Sequence, residues 1–194
     1  MTDTKQVLAV NGSPRKGGNS EILLAAVKEG IEVAGGRVET IRLNSLKIRP
    51  CQGCGGCNKT GECVLEDDMT PLYEKILSVD RIIIASPIYF YSVTAQAKTF
   101  IDRTQALWSR KRLLEKKGEW KDDPNRKGLF LSVAATRGPK VFEGAVLVAK
   151  YAFDAMGVCY EDELLVRGVD GRGKMAEAKD RLKEAVELGK RFMG

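Results

Sequence analysis

The chain has 194 residues, 43% hydrophobic and 30% charged, which is typical of a globular domain and excludes a disordered tail or a secreted disulfide-rich peptide. Its formal net charge of +6 is a mild basic excess that suits anionic ligands. The chain contains no histidine, which excludes Ser-His-Asp hydrolysis, Cys-His proteolysis and every histidine-ligated metal site. Any metal must therefore be held by Cys, Asp or Glu.

Short apolar runs alternate with longer helical patterns along the chain, which predicts repeated βαβ units. The five predicted strands cover residues 6–10, 37–43, 81–85, 128–135 and 158–166. The predicted helices cover residues 19–36, 70–79, 94–108, 141–156 and 174–193, the first with Asn19 or Ser20 as its N-cap. The polar segment 109–127 is predicted to be an irregular insertion that acts as a lid or an interface. Together these elements predict one α/β domain over residues 1–194, with a doubly wound parallel sheet and helices on both faces.

The N-terminal residues indicate where the protein works. The sequence MTDTKQVLAVNG lacks the apolar core and the cleavage site of a signal peptide. The apolar runs are far shorter than the ~18–20 residues that a membrane span needs. We expect a soluble, cytoplasmic protein without a membrane partner.

The loop after the first strand, GSPRKGGNS (residues 12–20), resembles a Walker A sequence at its start. Gly18 and Asn19 stand where that motif has its Lys and its Ser or Thr, which disfavours a nucleoside triphosphatase. Pro14 occupies the second glycine position of GxGxxG, which disfavours a dinucleotide fold. A glycine- and hydroxyl-rich turn that enters a helix N-terminus suits one phosphate monoester. The alternative is a plain glycine-rich turn capped by Ser20.

Two further loops follow predicted strands, and the carboxyl ends of parallel strands are where ligands bind in such sheets. The sequence SPIYFYS (residues 86–92) places three aromatic side chains together, which suits a flat, partly apolar ring. The alternative is that these side chains pack beneath the next helix. The sequence ATRGP (residues 135–139) has small residues that allow a ligand close to the backbone, and Arg137 could balance a ring anion or a phosphate.

The sequences SPRKGGNS and SPIYFYSVTAQAKTFIDR resemble those of the flavodoxin-like, NAD(P)H-dependent FMN reductase family, over about residues 6–166. The resemblance implies a flavodoxin-like fold, for which we expect the strand order 2-1-3-4-5. It also implies FMN, with its phosphate in the first loop and its ring against the second and third. The implied FMN-binding residues are Ser13, Arg15, Lys16, Asn19, Ser20, Pro87, Ile88, Tyr89, Phe90, Tyr91, Ser92, Thr136, Arg137 and Gly138.

Four of the five cysteines lie between positions 51 and 63 in the pattern CxxCxxCx5C. In a reducing compartment such a cluster indicates metal binding or redox chemistry before disulfides. The pattern resembles that of iron–sulfur flavoproteins, a branch of the same family, which implies one 4Fe–4S cluster on Cys51, Cys54, Cys57 and Cys63. The alternatives are a reduced loop or a redox-active dithiol without metal, and a zinc site. The fifth cysteine, Cys159, is predicted to be a small buried residue.

These features predict an FMN-dependent oxidoreductase that passes electrons between a reduced donor, NAD(P)H or ferredoxin, the cluster and FMN. No side chain is expected to be catalytic, because the flavin N5 atom carries the chemistry. One alternative is an NAD(P)H-dependent FMN or quinone reductase without a cluster. A second is a basic module that binds an acidic partner, since residues 110–127 hold eight Lys/Arg against four Asp/Glu. Nucleic acid is not expected as a partner, and a homodimer or higher homo-oligomer is expected to cover the flavin ring.

Overall fold

The computed structural model describes residues 5–194, and five parallel strands form one sheet at its centre. The strands are β1 (Gln6–Asn11), β2 (Arg37–Arg42), β3 (Arg81–Pro87), β4 (Lys127–Ala134) and β5 (Cys159–Arg167). Their order in the sheet is β2-β1-β3-β4-β5, and every neighbouring pair is parallel. The predicted flavodoxin-like fold and its strand order are therefore confirmed.

Seven α-helices accompany the strands within the described residues. They are α1 (Asn19–Val33), α2 (Cys57–Thr60), α3 (Thr70–Ser78), α4 (Ala95–Arg103), α5 (Gln105–Lys117), α6 (Glu143–Ala155) and α7 (Lys179–Phe192). Short 3-10 turns cover Leu43–Ser45 and Lys174–Glu177. Among residues 5–194, no helix combines the length and the apolar character that crossing a membrane requires.

Alternating side chains of the strands build two cores, one on each face of the sheet. Val7 and Ile83 belong to the core that α1 and α7 cover. Their neighbours Leu8 and Ile82 belong to the opposite core, which α3, α4 and α6 cover. All four residues are completely or almost completely buried, and each such burial contributes about 1.5–3 kcal/mol. Because both faces are covered, only the edges and ends of the sheet are open to ligands.

Two glycines bring α1 and α7 unusually close together. A Cβ atom on Gly30 would overlap the carbonyl oxygen of Val186 in α7. A Cβ atom on Gly189 would overlap the carbonyl oxygen of Val27 in α1. The two helix backbones therefore meet through a reciprocal contact that only glycine permits at either position.

Segment 94–117 differs from its prediction in two ways. The predicted helix over residues 94–108 is two helices, α4 and α5, which meet at Thr104. Segment 109–127 was predicted to be irregular, and this is wrong for residues 109–117, which continue α5. The helix ends at Gly118 in the left-handed conformation (φ 72°). Ser109 is buried against the cysteine loop, so a tertiary contact stabilises a sequence that has little apolar periodicity. A lid or interface role for the segment stays a prediction.

Two smaller predictions are also wrong. Cys159 is exposed instead of buried, because it begins β5, which is an edge strand of the sheet. The N-cap of α1 is Gly18 instead of Asn19 or Ser20, and no side chain caps this helix. Asn19 is unable to cap because its amide group is bound to a loop that follows β5.

One arginine holds helix ends together at the amino end of the sheet. The Arg126 guanidinium, directly before β4, donates hydrogen bonds to the carbonyls of Ile76 (2.6 Å) and Val79 (3.2 Å), at the end of α3. It also donates to those of Met156 (3.0 Å) and Gly157 (3.2 Å), after α6. A cation at two helix C-termini satisfies carbonyls that have no partner within their helices.

Candidate functional site

A cavity of about 170 Å³, called the rim cavity below, opens at the carboxyl edge of the sheet. Residues from the loops after β1, β3 and β5 and from the end of β4 form its wall. Seven of the predicted FMN-binding residues line it: Ser13, Arg15, Asn19, Ser20, Pro87, Ile88 and Tyr89. The remaining predicted residues lie outside its wall: Lys16, Phe90, Tyr91, Ser92, Thr136, Arg137 and Gly138.

The first loop is fixed against β3 and α4. Gly12 donates its backbone N–H to the carbonyl of Ala85 at 2.8 Å, and Thr94 donates its hydroxyl to the carbonyl of Gly12 at 2.6 Å. A Cβ atom on Gly12 would lie 2.8 Å from the Cβ atom of Ala97, so this close approach requires glycine. The loop therefore enters the rim cavity along a defined path, and a bound group meets a preformed backbone.

Ser20 lies at the start of α1, on the wall of the rim cavity. Its side chain is buried, and its hydroxyl has no hydrogen-bond partner. The first backbone N–H groups of α1 have no side-chain cap either. A buried polar group without a partner costs about 1–3 kcal/mol, and a bound anion at this helix end would remove that cost. The site thus has donor groups available for a phosphate.

Glu21 holds the first loop and β2 together. Its carboxylate accepts a hydrogen bond from the Gly17 N–H at 2.8 Å and forms an ion pair with Arg42, also at 2.8 Å. Burial by itself would raise the pKa of Glu21, but the hydrogen bonds from Arg42 and Gly17 and the charges of Arg42 and Lys16 outweigh it and lower the pKa. The carboxylate is therefore charged at neutral pH and shapes the turn beside the rim cavity.

A loop after β5, which is not part of the predicted site, closes the rim cavity. The Asn19 amide donates to the carbonyl of Gly171 at 2.8 Å and accepts from the Met175 N–H at 3.0 Å. Arg172 donates to the carbonyl of Lys16 at 2.6 Å and lines the cavity. The topology could have indicated this loop from the sequence, because the loop after a fifth parallel strand emerges at the same edge of the sheet as the three predicted loops.

The aromatic loop forms a tight turn. Tyr89 and Ser92 exchange backbone hydrogen bonds of 2.9 and 3.0 Å, and the two residues between them have positive φ angles, 48° at Phe90 and 62° at Tyr91. This pattern is that of a type I′ turn, which glycine and asparagine favour and aromatic residues rarely adopt. Phe90 is fully exposed and Tyr91 is more than half exposed, so these two side chains do not pack beneath the next helix.

The third predicted loop lies beside the aromatic turn. A Cβ atom on Gly138 would lie 3.6 Å from the Tyr91 hydroxyl. The Arg137 guanidinium lies over Gly168, where an added Cβ atom would be 2.8 Å from its Nε atom. Thr136 and Arg137 are exposed. Ala135, the first residue of this loop, lines the rim cavity, so the loop adjoins it directly.

The four clustered cysteines line a second cavity of about 180 Å³, called the cysteine cavity below. None of the four forms a disulfide. Arg103, Gln105 and Ala106, from α4 and α5, also line it. The Ser109 hydroxyl of α5 lies 3.4 Å from the Cys57 sulfur and forms a hydrogen bond with it, and Gly61 turns the chain in the left-handed conformation against α5. The loop is thus held on α5 with its thiols around one space.

Arg103 is the charged residue on the wall of the cysteine cavity, and its side chain is completely buried. It donates to the Asp67 carboxylate at 2.6 Å and to the carbonyls of Arg49 (2.9 Å) and Leu65 (3.2 Å). Its Nε atom has no partner. Burial alone would lower the pKa of Arg103, but the Asp67 carboxylate, with further contributions from Tyr73 and Cys63, raises it above its usual value. The guanidinium is therefore a permanent charge.

Among residues 5–194, no three Cys, Asp or Glu side chains come close enough together to hold one metal ion. All ligands of a single ion must reach one point. In a four-iron cluster each thiolate binds a different iron, so the four sulfurs surround a larger volume. The four free thiols line one cavity instead, and thiolates are ligands that structural zinc and iron–sulfur clusters share.

The sheet order and a cavity at the carboxyl edge define a flavodoxin-like α/β protein. Among solved structures, the chain is similar to an NAD(P)H:quinone oxidoreductase from Methanothermobacter marburgensis, with a TM-score of 0.70 and 18% identity. That match covers 99% of this chain and 98% of the other. The likeness at this identity supports the fold alone.

Sequence comparison defines the family. The model of the family described as NADPH-dependent FMN reductase matches residues 6–149, and the chain belongs to this family. An iron-sulfur flavoprotein from Archaeoglobus fulgidus is 46% identical over 98 residues, which cover 50% of this chain and 44% of that protein. Another from Methanosarcina thermophila is 35% identical over 132 residues, which cover 68% of this chain and 64% of that protein. The matches thus span about half to two thirds of these relatives' lengths.

Proposed function

We propose that the chain is one FMN-binding domain over residues 1–194 that acts as an FMN-dependent oxidoreductase and electron-transfer flavoprotein. The observation that carries the proposal is the unpartnered, buried hydroxyl of Ser20 at an uncapped helix N-terminus in the rim cavity. Arg15 and Arg172 add positive charge to the same wall. These donors suit the phosphate monoester of FMN, and the family of the chain supports this ligand.

The residues that would hold FMN divide between the two ends of the rim cavity. Ser13, Arg15 and Ser20 would bind the phosphate, with Lys16 and Asn19 shaping its loop. Pro87, Ile88 and Tyr89 would support one side of the ring, and the loops at 90–92 and 136–138 would bound its outer edge. When bound, FMN supplies hydride and electron transfer at its N5 atom. The protein's own contribution is to bind, orient and partly shield the ring.

We further propose that Cys51, Cys54, Cys57 and Cys63 bind one 4Fe–4S cluster, which would supply single-electron transfer. Their four free thiols around the cysteine cavity support this proposal, as do the names of the two relatives. A cluster-free NAD(P)H-dependent FMN or quinone reductase is the second candidate, and the family description, which names FMN and no cluster, fits it.

The proposed electron donor is NAD(P)H or ferredoxin, and the proposed compartment is the cytoplasm. The family description supports NADPH, and five unbonded cysteines suit a reducing compartment. Phe90 and Tyr91, exposed next to the rim cavity, support a homodimer or higher homo-oligomer that covers the ring. Light scattering of the FMN-loaded protein tests this assembly, and a monomer at micromolar concentration would contradict it.

The central experiment is cofactor analysis after anaerobic purification. We expect FMN on chromatography of the extracted flavin and about four iron and four sulfide per chain. FAD, or no flavin after reconstitution, would overturn the FMN proposal. Absence of iron after reconstitution would leave the FMN proposal standing and overturn the cluster proposal.

Two cysteine variants separate the cofactors. Cys54→Ala is expected to lose the broad visible absorbance of the cluster and to keep FMN, because the rim cavity is built from other loops. Cys159→Ala is the matched control, since Cys159 is exposed and lies outside the cysteine cavity, and it is expected to keep both cofactors. NADPH is then added to the Cys54→Ala protein, and the absorbance of bound FMN is recorded. Loss of the oxidised flavin absorbance would identify NADPH as a donor that does not need the cluster.

A further inference from the structure

Arg103 has more hydrogen-bonding capacity than the protein uses. Its NH1 and NH2 groups are bound to one carboxylate and two carbonyls, all in the chain around the cysteine loop. The remaining nitrogen, Nε, is buried without a partner on a residue that lines the cysteine cavity. Unpartnered buried donors are rare in folded proteins, and on a charged group they are especially costly. The arrangement indicates a partner that belongs in the cavity.

The charge around Arg103 is also unbalanced. Asp67, its ion-pair partner, is shared with Arg49, whose guanidinium lies 3.7 Å from the same carboxylate. Asp67 further accepts backbone hydrogen bonds from Arg49 and Met69. Two guanidinium groups thus face one carboxylate. Because Arg49 is exposed and Arg103 is buried, the positive charge that water screens least is the one on the cavity wall.

We propose that Arg103 is the charge partner of the group bound by the four cysteines, and that it raises the reduction potential of that group. The inference rests on the proposed cluster. When the cluster takes one electron from a reductant, its negative charge increases by one and no proton is required. A buried cation stabilises the more negative state, and charge and hydrogen bonds at the sulfurs are known determinants of cluster potentials.

The test is a redox titration of the cluster, followed by electron paramagnetic resonance, in the purified FMN-containing protein with dithionite and mediators. Arg103→Gln is expected to lower the midpoint potential by an amount equal to at least a tenfold change in the reduction equilibrium, about 59 mV for one electron. Arg103→Lys is expected to restore part of this loss, because it keeps the charge. Arg49→Gln is the matched control, since it removes an exposed charge from the same carboxylate, and its shift is expected to be small.

A fourth variant separates charge from structure. Asp67→Asn removes the acid that neutralises Arg103. The midpoint potential of the cluster in this variant is therefore expected to rise, whereas that in Arg103→Gln is expected to fall. A loosened loop would move both variants in the same direction. Unchanged potentials in cluster-loaded Arg103→Gln and Asp67→Asn would overturn the inference and leave the cluster proposal intact. Loss of the cluster from Arg103→Lys and Asp67→Asn alike, with FMN retained, would also overturn it. Wild-type protein without iron after reconstitution would overturn both proposals.

Discussion

Ser20 has a buried side chain and a hydroxyl without a hydrogen-bond partner. The residues around it suggest what this hydroxyl binds. It lies at the N-terminus of α1 on the wall of the rim cavity, where Arg15 and Arg172 also lie. Without a ligand, such a hydroxyl opposes folding, because it has lost its water and gained no bond. We therefore propose that Ser20 serves the ligand and not the fold.

Ser20→Ala is expected to weaken FMN binding by about 1–2 kcal/mol, because a hydrogen bond to the phosphate is lost. The unfolding free energy of the ligand-free protein is expected to stay unchanged or to rise slightly. Fluorescence titration with FMN and urea unfolding measure the two effects. Ser78→Ala is the control, because Ser78 is exposed at the end of α3 and donates to the Lys75 carbonyl. Equal FMN affinity in Ser20→Ala and the wild type would contradict the phosphate role.

Phe90 and Tyr91 also adopt an unfavourable local conformation, and no packing of their side chains within the described part of the chain compensates for it. Both have positive φ angles, and neither side chain is buried. Aromatic residues in the left-handed region cost of order 1–3 kcal/mol each, and such strain concentrates at binding sites. The turn is held by the backbone bonds between Tyr89 and Ser92. We therefore expect the aromatic side chains to act on a ligand or a partner.

The double change Phe90→Asn and Tyr91→Gly introduces the preferred sequence for a type I′ turn. It is expected to raise the unfolding free energy of the ligand-free protein by about 1–2 kcal/mol and to weaken FMN binding. Urea unfolding and FMN titration are the measurements. Tyr151→Gln, which removes an exposed aromatic residue from the regular helix α6, is the control without a stability gain. A destabilised double variant would mean that the aromatic side chains contribute packing that exceeds the strain.

At the scale of elements, the first loop depends on its neighbours. Glu21 joins the loop, α1 and β2 through its bonds to Gly17 and Arg42. Its folded pKa lies below its ordinary value of 4.5, so the unfolded chain takes up a proton at a higher pH than the folded protein. The stability that this carboxylate contributes is therefore complete above its ordinary pKa and is lost as the pH falls through the folded pKa.

Glu21→Gln is expected to lower the unfolding free energy at neutral pH. It is also expected to lose less stability than the wild type as the pH falls below 4.5, the ordinary pKa of this carboxyl group. The measurement is urea unfolding of the ligand-free protein at several pH values. Glu184→Gln, which removes a carboxylate from an exposed pair with Arg181 on α7, is the control. A curve for Glu21→Gln that runs parallel to the wild-type curve would contradict the assigned role.

Across the whole molecule, the rim cavity and the contacts of Arg126 that stabilise the fold lie at opposite ends of the sheet. The rim cavity lies at the carboxyl edge of the sheet, whereas Arg126 binds the ends of α3 and α6 at the amino end. Parallel sheets generally separate the two in this way, because the loops at the carboxyl ends are available for ligands. The four carbonyls that Arg126 satisfies would be left without a partner if its side chain were apolar.

Arg126→Met is expected to lower the unfolding free energy by about 2–3 kcal/mol, while the folded fraction keeps wild-type FMN affinity. Thermal or urea unfolding together with FMN titration measures both. Arg181→Met, in an exposed pair with Glu184, is the matched control, for which a loss of less than about 0.5 kcal/mol is expected. A fall in FMN affinity for Arg126→Met would show that the two ends of the sheet are coupled.

The strand order followed from the resemblance to a known family, whereas the sequence by itself determined the fold class and three of the loops at the binding edge. These features depend on local patterns: apolar runs at strand spacing, a glycine- and hydroxyl-rich turn before a helix, and cysteines within one short loop. Ser20 and Tyr89 could be found in this way, because each lies within a recognisable motif next to a strand.

Only the tertiary structure decided the features that join distant parts of the chain. Arg172 reaches the first loop across 156 positions, and Arg103 binds the chain on both sides of the cysteine loop. In the same way, Gly189 is required in α7 only because α1 lies against it. Local propensity would favour alanine at that position, but the backbone of the other helix excludes it. Such requirements arise from long-range packing, so no local pattern in the sequence predicts them.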